Sequence, residues 1–326
     1  MMKTPTKFIA LLSGAALLAS SVFAVSTNPV GYITITLNAE SDNAIGFPMQ
    51  NAPVFSGSIS DITSNVITFH GSPGWTVNEF TTNPNFLQIS TGVGEGMNLA
   101  ILSNTADALT VDLAGEDLSG ILANAGDASL SDQGDISAFW TPATLLPSTL
   151  PAGTSLLLYN NNAGINKSAS TVLNYNGSNW VQGFSNADNF IIHTYESIIC
   201  RLPAGSSDVA MTVAGSVPMV THRLVMDNGG VQTDFRIYYN GPVGVTIGTS
   251  GLGFAAGDQF LVTDNAVDGV NKSATTVLNY NGSNWVQGFS NADSFPLVPG
   301  SGYIYRRAAG GAESVTWTSV PSYLAP

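Results

Sequence analysis

The chain of 326 residues is short of charge, of cysteine and of histidine. Only 10% of it is charged, where an ordinary globular domain carries roughly 25%. Positive charge is the scarcest: 9 Lys and Arg face 22 Asp and Glu, for a formal net charge of −13. Between Val25 and Asn166 there is no Lys or Arg at all, while twelve acids lie from Glu40 to Asp135. Binding nucleic acid needs a basic footprint that displaces counterions, so this composition argues against that class of partner. Cys200 is the only cysteine, which excludes an intrachain disulfide. In the run Ile198-Ile199-Cys200 it reads as a buried small hydrophobe rather than a reactive thiol. The three histidines, His70, His193 and His222, have no metal-ligand spacing.

Apolar and turn-forming residues are plentiful. With 44% hydrophobic residues, including 15 Phe, 10 Tyr and 5 Trp, the chain can bury enough surface to offset its conformational entropy. The 34 Gly and 16 Pro predict many turns rather than long helices. At the N-terminus, Lys3 and Lys7 precede an apolar run from Phe8 to about Leu18 and the small-residue site Val22-Phe23-Ala24. That order predicts a secretory signal peptide over 1–24, cleaved after Ala24. The run is too short, and too interrupted by Ser13, Gly14, Ser20 and Ser21, for a bilayer span, and no later stretch is long enough either. Removing Lys3 and Lys7 leaves 7 bases against 22 acids, a net charge of −15. Such a surface keeps an exported protein soluble and could attract divalent cations.

The segment from Asn166 to Asp188 returns 105 positions later as Asn271 to Asp293, identical at 22 of 23 positions, with Ser170 replaced by Thr275. The likeness continues in register through Phe190 and Phe295, Arg201 and Arg306, and Gly205 and Gly310. A third, degenerate copy is expected around Ile67-Thr68-Phe69, Gly71 to Trp75 and Asp107 to Val111. This divides the chain into 25–111, 112–213 and 214–326. A period near 100 residues is too long for a solenoid turn, so each unit reads as a small domain or half-domain.

Strand signals dominate each unit. Gly31 to Leu37 alternates with period two, and Asn176-Gly177 between alternating runs is a hairpin signal for a type I′ turn. That turn would set Tyr175 opposite Ser178 and Leu173 opposite Trp180. Leu173, Tyr175 and Trp180 then share one face. Asn281-Gly282 repeats the device. The only helical candidate is Leu118 to Leu122, weakened by Gly120. The predicted class is all-β: tandem small β-sandwich or partly open β-barrel units related by the repeat of about 105 residues.

Catalytic signals are thin, and no catalytic residue is assigned. His193 and Glu196 become Val298 and Ser301 in the second copy, which weakens an acid–base pair. Gly183-Phe184-Ser185-Asn186-Ala187 lacks the last glycine of a nucleophile elbow. Glu116-Asp117 reads as a turn or helix start. Asp264 and Asp268 offer two carboxylates beside Gly269 as a speculative Ca²⁺ site, although the loop is not an EF-hand. No other cofactor is expected. The duplicated set Tyr175, Trp180, Phe184 and Gln182, with Tyr280, Trp285, Phe289 and Gln287, has two readings. It could stack and hydrogen-bond a sugar, or its Trp and Tyr could be core residues of a β hairpin.

Taken in order, Thr27-Asn28-Pro29-Val30-Gly31-Tyr32-Ile33-Thr34-Ile35, Gly71-Ser72-Pro73-Gly74-Trp75, Ile101 to Val111 and Asn166-Lys167-Ser168 resemble an uncharacterised family of exported bacterial proteins of similar length. The resemblance implies export and a β-rich build, and supplies no catalytic residues to transfer. Where members of that family carry a more regular Trp-Thr segment, this chain has Phe139-Trp140-Thr141-Pro142. The expected function is a non-enzymatic structural or interaction protein of the cell envelope or extracellular space, self-associating or binding envelope material. The alternative is a secreted carbohydrate-binding module, and a secreted hydrolase is the remote third.

Overall fold

The computed structural model describes residues 29–161 and 164–324, so the leader expected at 1–24 lies outside the described residues. The chain opens with β1 (Val30–Leu37) and β2 (Asp42–Ile45). Six strands follow: β3 (Phe55–Thr63), β4 (Val66–Phe69), β5 (Asn85–Ile89), β6 (Asn98–Asn104), β7 (Ala108–Asp112) and β8 (Gln133–Ala138). They close into a barrel in the order β3-β4-β7-β6-β5-β8, with β8 pairing back onto β3. Next come β9 (Ser155–Leu158), β10 (Thr171–Tyr175), β11 (Trp180–Gln182), β12 (Ser185–Asn186), β13 (Ile198–Arg201) and β14 (Val209–Ser216). These recover the two opening strands, giving a sheet β12-β11-β10-β9-β13-β2 and a ribbon β1-β14.

The final third comprises β15 (His222–Asp227), β16 (Thr233–Ile237), β17 (Val245–Thr246), β18 (Gln259–Val262) and β19 (Thr276–Tyr280). After them come β20 (Trp285–Gln287), β21 (Ser290–Asn291), β22 (Pro296–Leu297), β23 (Tyr303–Arg307) and β24 (Ser314–Ser319). Its main sheet is ordered β16-β23-β18-β19-β20-β21, with ribbons β15-β24 and β17-β22. Read from opposite ends, the two six-stranded sheets have the same strand order, and in each the flanking ribbon joins the first strand to the last. The barrel occupies the connection between β2 and β9. Each body has its own apolar cluster, centred on Leu156, Leu173 and Trp180 in the first sheet, on Ile67, Leu99 and Leu109 in the barrel, and on Phe260, Leu278 and Trp285 in the last.

The all-β expectation therefore holds, but the lines fall elsewhere. The boundary at 111–112 cuts β7, and the one at 213–214 cuts β14. Ile67 to Phe69 and Asp107 to Val111 pair with one another inside the closed barrel, a strand order unlike that of the two sheets. Trp75 lies in no strand and packs edge-on against Phe55, Phe69 and Phe80. Leu118 to Leu122 is turn rather than helix, because the Asp117 carboxylate accepts the Ser119 N–H at 2.9 Å. Pro142 is tolerated because it opens the short helix Pro142–Leu145, capped by Thr141.

The hairpin register also differs. Tyr175 stands opposite Trp180 and Asn174 opposite Val181. The Asn176 side chain accepts N–H bonds from Ser178 and Asn179 at 2.9 and 2.8 Å, which opens the turn to four residues, and only Gly177 takes positive φ, at 97°. The slip from the expected pairing is two residues. An even slip preserves the faces, and Leu173, Tyr175 and Trp180 are indeed buried together.

Candidate functional site

The duplicated block spends most of its polar residues on its own geometry. In the second copy the Asp293 carboxylate accepts from the Trp285 N–H at 2.8 Å and from the Asn284 and Asn291 amides at 2.7 and 2.8 Å. Asn291, Trp285 and Asn284 together hold that carboxyl below its usual range. Asp188 makes the same three bonds with Trp180, Asn179 and Asn186. Burial opposes the shift at Asp188, and those donors still bring it down.

This network fixes the indoles inward. Trp180 and Trp285 are 3% and 1% exposed, and Tyr175 is buried beside Trp180. Tyr280 is half-buried, while Gln182 and Gln287 are exposed. A sugar cannot stack on the tryptophans, because each ring already fills a core: Trp285 lies against Phe260, Tyr280 and Tyr305. The third aromatic of each set goes the other way. Gln182 pairs with Ser185 and Gln287 with Ser290, leaving two-residue tips Gly183-Phe184 and Gly288-Phe289. Gly183 and Gly288 take φ of 60° and 61°, the glycine-first form of a tight hairpin turn. Phe184 and Phe289 are 108% and 109% exposed.

The second feature is a cleft where the two sheets meet. The loops before β10 and β19 each cross to the other unit. Asn271 gives its N–H to Asp42 at 2.6 Å and accepts from Arg201 at 2.9 Å, while Arg201 holds Asp42 with two bonds at 2.5 and 2.9 Å. In mirror fashion, Asn166 gives its N–H to Asp234 at 2.8 Å and accepts from Arg306 at 2.8 Å, and Arg306 holds Asp234 at 2.6 and 3.0 Å. Both asparagines adopt positive φ, 51° at Asn166 and 53° at Asn271, a conformation asparagine tolerates better than most residues.

The cleft between these triads has a volume of about 490 Å³, and Lys167, Arg236, Lys272 and Arg306 all line it. Only seven bases lie beyond residue 24, so four of them converge on one hollow of an acidic protein. Arg306 is spent on Asp234. The Lys272 ammonium donates to Ser41 Oγ and to the carbonyls of Asp264 and Val267 at 3.2, 3.1 and 2.9 Å. Arg236 lies over the Tyr159 ring at 4.0 Å from its centroid, and burial lowers its pKa. Among the described residues, the buried Lys167 Nζ has no hydrogen-bond partner. Burial, against the pull of Asp234 and aided by Arg236, lowers its pKa too.

Asp264 and Asp268, the expected Ca²⁺ ligands, sit in this neighbourhood. Asp264 caps its own turn by accepting the Ala266 N–H at 2.8 Å, and both carboxylates act electrostatically on Lys272, so the loop already has an internal cation. Among the described residues no three His, Cys, Asp or Glu side chains cluster as a metal site would need.

The remaining titrating groups are scattered. Burial pushes the Glu196 carboxyl up to about 7, and Asn161 Nδ2 lies 3.5 Å from it. His222, packed on Trp317, falls to about 3 through burial, which keeps it neutral. The buried Cys200 thiol rises to about 12, through burial and then the nearby Asp42 charge. Glu116 binds Arg223, which docks the barrel onto the last third. Sequence reasoning passed over the cleft, although one signal pointed there: Lys167 and Lys272, two of so few bases, hold the same place in the repeated block.

Among the described residues no helix is long and apolar enough to cross a membrane. Compared with protein-family models, with curated proteins and with solved structures, the chain matches none.

Proposed function

We propose that the chain is an exported, non-enzymatic contact protein of the cell envelope or extracellular space, built on two units related by an internal repeat of about 105 residues. The near-identity of the blocks and the shared strand order support the repeat. The single observation carrying the function is the pair of tips. A phenylalanine with its whole surface in water contributes nothing to the core, so the use of Phe184 and Phe289 lies outside the molecule. Each sits on a hairpin stiffened by an Asn/Asp network, which limits the entropy lost on contact.

A glycan partner remains a second reading, with its ground shifted. The Trp and Tyr platforms are core, whereas Phe184 with exposed Gln182, and Phe289 with exposed Gln287, still pair a ring with an amide. The test is retention of the chain from residue 25 onward on envelope material, using Phe184→Ser combined with Phe289→Ser. The double variant should lose retention while melting like the parent. Unchanged retention would overturn the proposal, and elution of the parent by soluble glycans would select the second reading.

A further inference from the structure

The cleft between the two sheets is a different feature from the tips and has its own chemistry. We propose that it binds a small organic acid, its carboxylate seated between Lys167 Nζ and the Arg236 guanidinium and its carbon skeleton against Ile199, Leu261 and Ile304.

Three observations carry this. Among the described residues the ion pairs are Arg201 with Asp42, Arg223 with Glu116 and Arg306 with Asp234; Lys167 and Arg236 enter none of them. The two are close enough for the Arg236 charge to act unfavourably on the Lys167 ammonium. The nearest carboxylate on that side, Asp234, is committed to Arg306 and the Asn166 N–H. Arg236 repels the Lys167 ammonium while Asp234, bound to Arg306, attracts it without a hydrogen bond, and a buried ammonium with no hydrogen-bond partner costs stability. An anion between Lys167 and Arg236 supplies that partner and offsets the repulsion.

The equivalent half of the cleft shows what a satisfied site looks like. There Ser41 Oγ and two carbonyls hold Lys272, and the place of Arg236 falls to Ala44: Asn161 Oδ1 accepts the Arg236 N–H as Asn265 Oδ1 accepts that of Ala44. On the Lys167 side the Thr233 hydroxyl donates instead to the Val231 carbonyl at 3.2 Å. Among the described residues, then, Lys167 lacks the hydrogen bonds that hold Lys272, in the half that also carries the extra arginine.

The walls set the ligand class. Arginine's planar fork suits a carboxylate in bidentate fashion, and Ile199, Leu261 and Ile304 give the hollow an apolar side. No lining residue comes from a helical segment among the described residues, so no ring of helix N–H groups is turned towards an inorganic anion. About 490 Å³ falls within the usual range for small-molecule sites.

The test is calorimetric titration of the chain from residue 25 onward with succinate, galacturonate and inorganic phosphate at low ionic strength, beside thermal melting. At least one of the two organic acids should bind saturably and raise the melting temperature. Lys167→Met and Arg236→Met should each weaken that binding by roughly tenfold to a hundredfold, the worth of one charge-assisted hydrogen bond. Without ligand, Lys167→Met should melt above the parent, which shows that the variant is folded. Phe184→Ser should bind like the parent, which separates this site from the tips. Binding of neither acid, binding of phosphate alone, or undiminished binding by both variants would overturn the proposal.

Discussion

Lys167 and Lys272 occupy the same position in two nearly identical blocks, and their surroundings differ. The block itself is not the cause, since 22 of its 23 residues match. The difference comes from what lies across the interface. Ser41, in the turn before β2, turns its hydroxyl to the crossing loop, donating to the Gly269 carbonyl and accepting from Lys272. Thr233, at the corresponding place in β16, is buried with its hydroxyl bonded to Val231. Loop length adds to this. Thirteen residues link β18 to β19, and twelve link β9 to β10, which is the one-residue slippage between the flanking sequences of the two copies. A repeated segment thus keeps its internal hydrogen bonds wherever it is placed, while the fate of its outward charge depends on the partner surface.

The largest test of this comparison concerns what the blocks share. Trp180→Ala and Trp285→Ala each empty a core position, and each should cost about 3–5 kcal/mol in urea unfolding. Trp285 also donates its indole N–H to the Leu252 carbonyl at 3.3 Å. Similar losses would sharpen the equivalence of the two cores. A loss below about 1 kcal/mol at either site, the typical effect of an arbitrary substitution, would break it.

The next effect concerns the crossing triads. Asp42→Asn and Asp234→Asn each replace a carboxylate that accepts two bonds from an arginine of its own unit and one N–H from the other unit. Each should cost about 2–3 kcal/mol by denaturant titration, as hydrogen bonds to charged groups do. The combined variant should lose close to the sum, since the triads draw on different residues. A marked inequality between the single variants would show that the mirror relation is geometric and not energetic.

Much of the local structure was legible because its causes are local. Alternation in Thr171–Tyr175 fixes the buried face, and turn chemistry at Asn176-Gly177 places the hairpin. The register was missed by two residues because Asn176 bonds two N–H groups ahead of itself, a competition that dipeptide identity does not reveal. The return of β1 and β2 to β14 and β13 spans the entire barrel. No residue in Val30–Leu37 specifies so distant a partner, and hence the boundary at 111–112 was placed inside a closed sheet. The aromatic set divided for a steric reason. Trp180 and Trp285 face the core, whereas Phe184 and Phe289 occupy the outer position of two-residue turns, where no neighbour can cover them.

The smallest expected effect returns to the lysines. Burial lowers the pKa of both, first through desolvation; Asp234 opposes this at Lys167, and Asp42, Asp264 and Asp268 oppose it at Lys272. A lysine whose folded pKa is depressed costs the fold stability at every pH below that value. The cost is relieved as pH rises through the folded value towards the ordinary lysine pKa, near about 10.4. Methionine keeps much of the side-chain volume and removes the charge. Lys167→Met should therefore raise the melting temperature at neutral pH and remove part of the alkaline rise in stability. Lys272→Met deletes three hydrogen bonds along with the charge, so the same substitution should lower stability, by about 1 kcal/mol. Opposite signs from one substitution in matched positions would locate the difference at Ser41, Thr233 and the crossing loops. Equal signs would mean that the three bonds at Lys272 do no more than repay its burial.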